Sequence, residues 1–208
     1  MLDPAVVRYA LGALPSPPAR VLEVGAGEGE LALALSRAGY GVVAIDPASE
    51  SENVRPVALH ELSEPPGSFD AAVAVVSLHH VEPLGESCRR LAEVVKAGGT
   101  LVLDEIDVAR FDERAAGWWL EHRRLDHEHE DATAAEIVAR MRHHLHDLHA
   151  MQGALEEWFE LGSPVRAPYL YRWELGPELR ADEERLIAAG GLPAVGVRLV
   201  GTRRPGRA

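Results

Sequence analysis

Short apolar runs alternate with amphipathic stretches over the first half of the chain, and this alternation constrains the fold more than any other feature. The runs are rich in valine, leucine and alanine, which is typical of strands buried on both faces of a parallel sheet. They lie at residues 20–24, 41–46, 69–78 and 100–106, with a weaker alternating run at 56–62. The segments between them have helical periodicity, and two end at Gly39 and Gly98. This order predicts an α/β fold with a doubly wound, mainly parallel sheet.

The alternation stops after the fifth predicted strand, at residue 106. Residues 107–162 contain two helical stretches with no strand between them, at residues 111–130 and 132–160. We therefore predict that 107–162 forms a helical cap inserted beside the sheet, and that it is not an independent domain.

Both ends of the chain are predicted to belong to the sheet core. Asp3 and Pro4 are typical of the N-cap and first turn of a helix. A strand-like run at 167–175, a further helix and a closing strand follow the insertion. Residues 1–106 and 163–208 are thus expected to form one core, because 208 residues suit a single domain with one addition.

Composition limits the partners of this chain. Its formal charge is −12, with 33 acidic against 21 basic residues, and a negative field repels the phosphates of nucleic acids. No apolar run is long enough to span a membrane, and the first residues do not have the pattern of a secretory leader. The single cysteine, Cys88, excludes an intrachain disulfide. We expect a cytoplasmic protein that binds neither nucleic acid nor membranes.

The loop after the first strand, "VGAGEGE", holds the strongest functional signal. A dinucleotide-binding loop has the pattern G-x-G-x-x-G, and Glu30 stands where its third glycine belongs. No Lys-Ser or Lys-Thr pair follows, which excludes a nucleoside-triphosphate loop. S-adenosylmethionine carries no phosphate but has an ammonium and a sulfonium group. Acidic Glu23 before the glycines suits those positive groups, and Asp46 after the second strand suits two ribose hydroxyls.

Four segments in order, "EVGAGEG", "AIDP", "GSFDAAVAVVSLHHV" and "KAGGTLVLDE", resemble the class I S-adenosylmethionine-dependent methyltransferases. The resemblance covers about residues 20–106 and implies a Rossmann-like fold and S-adenosylmethionine as cofactor. It implies that the glycine loop forms the floor of the site, that Glu23 serves the methionine end and that Asp46 with Pro47 binds the ribose. It also places Glu61 and Leu62 beside adenine, where the family pattern usually has Asp and a small residue. The remaining implied contacts are Gly25, Ala26, Gly27 and Gly29 in the loop, and Ser77 and Leu78 beneath the cofactor.

The predicted function is methyl transfer to a small-molecule acceptor. The run at residues 69–78 ends "VVSL" and lacks the Asn/Asp-Pro-Pro-Tyr/Phe signature of enzymes that methylate exposed base or amide nitrogens. Two alternatives are a nicotinamide-dependent oxidoreductase, which Glu30 opposes, and a cofactor-binding relative with a non-methylating or non-catalytic role. The motifs do not distinguish O, N, C and S as the methylated atom.

Histidines are the candidates for catalysis. His79 follows the fourth strand at the carboxyl edge of the sheet, where ligands of α/β proteins lie. It is predicted to act as a base or to orient the acceptor, the alternative being that it only begins the next helix. His122 and His144 lie on apolar helical stripes and would line an acceptor pocket if the cap covers the site; otherwise they are core residues. The predicted aromatic walls of that pocket are Trp118, Trp119, Tyr169, Tyr171 and Trp173.

The insertion also contains histidines with a spacing that invites a metal site. His143, His146 and His149 are three residues apart, and "HEHED" spans residues 127–131. The three spaced histidines fall opposite the apolar stripe of the predicted helix, which favours a solvated face. We predict no metal site, with His143, His146 and His149 pointing to solvent.

Overall fold

The computed structural model describes residues 2–123 and 132–206. Its strands are β1 Arg20–Val24, β2 Gly41–Ile45, β3 Phe69–Val75, β4 Val95–Ile106, β5 Phe159–Leu161, β6 Val165–Ala167 and β7 Gly196–Arg203. Its helices are α1 Pro4–Ala13, α2 Glu30–Arg37, α3 Leu84–Val94, α4 Glu113–His122, α5 Ala134–His144, α6 Leu148–Glu156 and α7 Arg180–Ala188. No helix within these residues is long and apolar enough to cross a bilayer.

The strands form one seven-stranded sheet in the order β2-β1-β3-β4-β7-β5, with β6 also pairing with β7. The four strands β2, β1, β3 and β4 are parallel, and β7 is antiparallel to its neighbours. The carboxyl ends of the parallel strands therefore meet at one edge. The predicted strand at 56–62 is wrong, because the described segment after β2 forms a single bridge just before it, between Ile45 and Arg55, and then a turn at Leu59–Glu61. Pro56 has no N–H group to continue the ladder.

Helices cover both faces of the sheet, which confirms the doubly wound prediction. On one face α1 and α2 pack through Ala10, Leu31 and Leu35. On the other, α3 and α6 pack through Leu91 and Met151. All five side chains are buried.

The helices of the insertion divide between two apolar clusters. Helices α4 and α5 join a separate apolar cluster around Phe111 and Leu170. The predicted single helix over 132–160 is wrong, since the chain is extended at Leu145 and a new helix begins at Leu148, after Asp147. The carboxylate of Asp147 accepts the Ala150 N–H, which makes it an N-cap. Helix α6 then packs on α3, and β5 pairs with β7, so these later residues belong with the sheet.

The predicted strand over 167–175 is replaced by a turn at Leu170–Arg172. The cause is Glu183 of α7, which is fully buried. Its carboxyl oxygens accept the N–H groups of Tyr169, Leu170 and Tyr171 at 2.7, 3.0 and 2.9 Å. Those N–H groups therefore face α7 and take no part in a ladder.

Candidate functional site

A cavity of about 440 Å³ opens at the carboxyl ends of β1, β2 and β3. We call it the strand-end cavity. Its walls are Val24, Gly25, Ile45, Asp46, Pro47, Ala48, Val57, Ala58, Leu59, Val76, Ser77, His80, Val81 and Glu82. Ligands of α/β proteins lie outside this edge of the sheet, so its position agrees with a cofactor site.

The glycine loop brings backbone directly to this cavity. Gly25, Gly27 and Gly29 have φ of +67°, +52° and +79°, a region that favours glycine. A Cβ on Gly25 would lie 2.2 Å from the Ser77 Cβ. The Ser77 hydroxyl donates to the Val24 carbonyl at 2.7 Å and holds the two strand ends together. Any side chain at position 25 would force this contact apart.

Asp46 is oriented toward the cavity by the loop itself. Its two carboxylate oxygens accept the N–H groups of Gly27 and Ala48, each at 2.9 Å. Each oxygen of a carboxylate has more than one acceptor site. Both oxygens of Asp46 therefore retain capacity to accept from the two vicinal hydroxyls of a ribose.

Glu23 lies beneath the loop and not in the cavity wall. It is 4% exposed, and burial raises its pKa to about 8 although the Ala32 N–H donates to it. One of its oxygens, Oε2, is buried without a hydrogen-bond partner. A cationic group nearby would stabilise the charged form, so this orphaned oxygen fits the positive methionine end of S-adenosylmethionine.

His79 is held away from the cavity. It is 2% exposed, and its Nδ1 lies 2.6 Å from Oε2 of buried Glu105. The other oxygen of Glu105 accepts the N–H groups of Ser77 and Leu78 at 3.1 and 2.7 Å. His79 and Glu105 therefore fix the turn at Ser77 and Leu78, and Ser77 lines the cavity. His80 lines the cavity instead, and burial together with neighbouring His79 lowers its pKa.

The other predicted cofactor contacts divide into two groups. Pro47 and Ser77 line the cavity with Gly25 and Asp46, while Ala26, Gly27 and Gly29 form the loop behind Gly25. Leu62 and Leu78 are buried in the core and Glu61 is exposed. The cavity wall near them is formed by Val57, Ala58 and Leu59. In this segment the residues that line the cavity thus lie about three positions before the predicted pair.

A second cavity of about 430 Å³ adjoins the first. We call it the N-terminal cavity, because it lies between the beginning of α1 and the segment before α7. Its walls are Leu2, Asp3, Pro4, Val6, Val75, Val76, Tyr171, Arg172, Leu175, Gly176 and Pro177. Val76 borders both cavities.

Val76 has a strained backbone at this shared wall. Its φ is +53°, which costs energy for a β-branched residue because its Cβ approaches the following carbonyl. The Val76 N–H donates to the Asp104 carbonyl at 2.8 Å, so β4 holds the residue in place. Strain of this kind concentrates where a site requires one geometry.

The candidate residues of the insertion lie away from both cavities. His122 packs on Trp118, with Nδ1 2.8 Å from the Trp118 carbonyl oxygen, and His144 is exposed. Of the predicted aromatic walls, Tyr171 lines the N-terminal cavity, whereas Trp119 stacks on Trp173 at 4.3 Å.

The spaced histidines do not share one exposed face. His143 and His149 are exposed, but Nε2 of His146 lies 3.2 Å from the Val81 carbonyl and 3.0 Å from Glu82. The prediction that His146 points to solvent is therefore wrong. It fails because the helix breaks between α5 and α6, so the spacing of one continuous helix does not apply. The segment 127–131 lies outside the described residues.

Comparison with known proteins places this geometry in context. Residues 4–157 match the profile of a family described as a methyltransferase domain. The chain is 36% identical to the ubiquinone biosynthesis O-methyltransferase of Xanthomonas campestris pv. campestris (strain B100), over 51% of each chain. It is 33% identical to the protein of that name from Xylella fastidiosa (strain 9a5c), over 76% of this chain and 73% of that protein. The chain thus spans about half the length of the first of these curated relatives.

A solved structure agrees with the fold. The S-adenosylmethionine-dependent methyltransferase from Mesorhizobium loti superimposes with a TM-score of 0.62 at 15% identity, over 96% of both chains. At that identity the likeness concerns the fold alone.

Proposed function

The chain belongs to the class I S-adenosylmethionine-dependent methyltransferase family, and we propose that it methylates a small-molecule acceptor. The observation that carries the proposal is the pair of cavities that meet at Val76. One suits the cofactor and the other lies beside it with a volume suited to a small molecule. Most of the rate enhancement would come from alignment of the two partners.

The strand-end cavity is proposed to hold S-adenosylmethionine, which supplies a methyl group activated by its sulfonium when bound. The backbone of Gly25 would approach the cofactor closely, and Asp46 would accept from the ribose hydroxyls. Glu23 would provide negative charge near the amino-acid end. Leu59 and Val57 offer apolar surface for adenine, in the place first predicted for Leu62.

The acceptor is proposed to enter the N-terminal cavity and to be methylated on oxygen. The names of the two curated relatives describe O-methyltransferases, and the N-terminal cavity offers groups that can bind a hydroxyl. His79 is proposed as a positioning residue, since it contacts Glu105 and through it the turn at Ser77. His80 borders the strand-end cavity, and its lowered pKa keeps the imidazole neutral and able to accept a proton near pH 7.

Calorimetry with Asp46→Ala tests the cofactor assignment. We expect the affinity for S-adenosylhomocysteine to fall by about 2 kcal/mol, because two ribose hydroxyls lose a charged partner. Asp182→Ala is the matched control, since its carboxylate is exposed and pairs with exposed Arg185. Unchanged affinity in Asp46→Ala would contradict the assignment. Binding of NAD in place of S-adenosylhomocysteine would support an oxidoreductase, and cofactor binding without methyl transfer to any of a metabolite panel would support a non-methylating role.

A further inference from the structure

We infer that the N-terminal cavity selects an uncharged, mainly apolar acceptor that carries a hydroxyl group, and that Asp3 and Tyr171 orient this hydroxyl. This inference rests on the proposed function, since it names the acceptor class of that same reaction. The cavity wall, its polar pair and its charge balance each support it.

The wall of the cavity is mostly aliphatic. The apolar side chains that line it are Leu2, Pro4, Val6, Val75, Val76, Leu175 and Pro177. A volume of about 430 Å³ lies within the range of roughly 300–1,000 Å³ found for small-molecule pockets. An apolar molecule with the dimensions of two fused rings fits this space and would remove aliphatic surface of the wall from water.

Asp3 and Tyr171 form the polar end of the cavity. One carboxylate oxygen of Asp3 accepts the Ala5 N–H at 2.7 Å as the N-cap of α1, and the other accepts the Tyr171 hydroxyl. Burial raises the pKa of Asp3, but the hydrogen bonds from Tyr171 and Ala5, together with the charges of Arg172 and Arg180, outweigh it and leave this pKa below its ordinary value. Burial and Asp3 raise the pKa of Tyr171. At neutral pH, Asp3 is therefore a carboxylate and Tyr171 a phenol.

This protonation state determines what the pair can bind. The single proton of the Tyr171 hydroxyl is directed to Asp3, so the phenol oxygen presents its lone pairs to the cavity. Asp3 likewise keeps acceptor capacity beyond its two existing bonds. Both groups are therefore acceptors toward a ligand, and a ligand hydroxyl is a matching donor.

The charges around the pair are already compensated. Arg172 lines the cavity but binds Asp104, which also accepts from Arg198 at 2.8 Å. Arg180 binds Glu184 at 2.8 Å. A carboxylate ligand would meet Asp3, and an ammonium ligand would meet Arg172, whose Nε is buried without a hydrogen-bond partner among the described residues. The cavity thus favours a neutral ligand, because either charge would lose its hydration and face a group of the same sign.

Three naphthalene probes that differ in one group test this selection. With S-adenosylhomocysteine present, we expect 2-naphthol to bind at least tenfold more tightly than 2-naphthoate or 2-naphthylmethylammonium, as measured by fluorescence titration. Tyr171→Phe and Asp3→Asn should each weaken 2-naphthol about fivefold or more, which is the scale of one hydrogen bond. Their affinity for S-adenosylhomocysteine should be unchanged. Asn preserves the N-cap of α1, so Asp3→Asn should remain folded.

Matched controls separate recognition from general destabilisation. Tyr40→Phe removes a hydroxyl that donates to the Pro15 carbonyl at 2.9 Å, at the opposite end of the strands. Asp112→Asn alters the N-cap of α4. Both should bind 2-naphthol like the wild type, with thermal unfolding confirming that all four variants are folded.

Three outcomes would overturn the inference. They are tighter binding of either charged probe, equal 2-naphthol affinity in the wild type and Tyr171→Phe, and no binding of 2-naphthol to the wild type. The proposed function fails separately, through absence of S-adenosylhomocysteine binding in calorimetry. Binding of 2-naphthol that depends on Tyr171 and Asp3 would support the inference whether or not that probe is methylated.

Discussion

The strand-end cavity and the N-terminal cavity meet at Val76 but differ in the material of their walls. The first presents backbone from a glycine loop and strand ends, with its turn held by the buried carboxyl of Glu105. The second presents side chains from α1 and from a turn held by the buried carboxyl of Glu183. A backbone wall depends on particular φ values, whereas a side-chain wall can change by substitution. The proposed cofactor side is thus constrained, and the proposed acceptor side can be varied separately.

The largest expected effect is loss of the cofactor alone in Gly25→Ala. The new Cβ would meet Ser77 at 2.2 Å, and φ is +67°. We expect S-adenosylhomocysteine affinity to fall on the order of 100-fold, about 3 kcal/mol, with 2-naphthol binding retained. Gly12→Ala is the control, because nothing lies within 4 Å of a Cβ there and α1 should gain about 0.5–1 kcal/mol. If calorimetry shows unchanged cofactor affinity in Gly25→Ala, the backbone wall is no more sensitive to substitution than the side-chain wall.

Substitution of the buried glutamates should separate the two cavities. In Glu183→Gln, one acceptor oxygen becomes a donor facing a backbone N–H. We expect a loss of about 2–3 kcal/mol in the free energy of unfolding and weaker 2-naphthol binding, with S-adenosylhomocysteine affinity retained. In Glu105→Gln we expect weaker binding of S-adenosylhomocysteine, with the affinity for 2-naphthol retained. Chemical denaturation and titration measure both, and exposed Asp182→Asn should change stability by less than about 0.5 kcal/mol.

Equal losses of both ligands in Glu183→Gln and Glu105→Gln would mean that the walls are one cooperative unit. The two cavities would then act as a single site.

A third buried carboxyl, Glu23, differs from these two because one of its oxygens has no partner. Its pKa is about 8 in the folded protein against an ordinary 4.5. The folded state therefore binds more protons, and stability is lost as pH rises from about 4.5 to about 8. Glu23→Gln should remove this loss and be at least about 2 kcal/mol more stable than the wild type at pH 9.

Glu23→Gln should also weaken the binding of S-adenosylhomocysteine, since the ammonium group of its amino-acid end loses its acid. Parallel stability curves for the wild type and variant between pH 5 and pH 9 would argue against a buried ionisable group. Glu61→Gln is the control, because this glutamate is exposed.

The strand-end cavity could be predicted from sequence because its main residues follow the chain order of strands and turns. Gly25 and Asp46 come directly after β1 and β2, and Ser77 comes two residues after the end of β3. The ends of parallel strands share one edge. Leu59 was missed because the alternating run at 56–62 predicted a strand, whereas the segment after β2 pairs with the sheet through a single bridge at Arg55 and turns at Leu59–Glu61.

The N-terminal cavity could not be predicted in this way. Asp3 and Tyr171 are separated by 168 positions, and their contact depends on the turn that Glu183 holds. Asp3 was predicted only as an N-cap, which it also is. The helix break at Asp147 likewise invalidated the angular argument for the insertion histidines, since a periodicity applies only within one helix.

A pair of substitutions at Val76 tests the strain at the shared wall. Val76→Ala and Val76→Gly both truncate the side chain, but only glycine relieves φ of +53°. Val76→Gly should be about 1 kcal/mol more stable than Val76→Ala, which reverses the usual order in regular structure. Chemical denaturation at matched pH measures the difference. If the alanine variant is the more stable, the backbone is not strained and the wall is less defined than the geometry implies.

The smallest effect is expected at His144, which was first predicted to line the acceptor pocket. It is exposed at the end of α5, and neither cavity described above includes it among its lining residues. His144→Ala should therefore leave kcat/KM within about twofold and stability within about 0.5 kcal/mol of the wild type. His146→Gln provides the contrast, because His146 contacts Val81 and Glu82 in the strand-end wall, and up to about 1 kcal/mol of stability should be lost there. A tenfold lower kcat/KM in His144→Ala, with cofactor affinity intact, would show that the cap reaches the acceptor after all. The acceptor would then have to lie under α5 rather than against Tyr171.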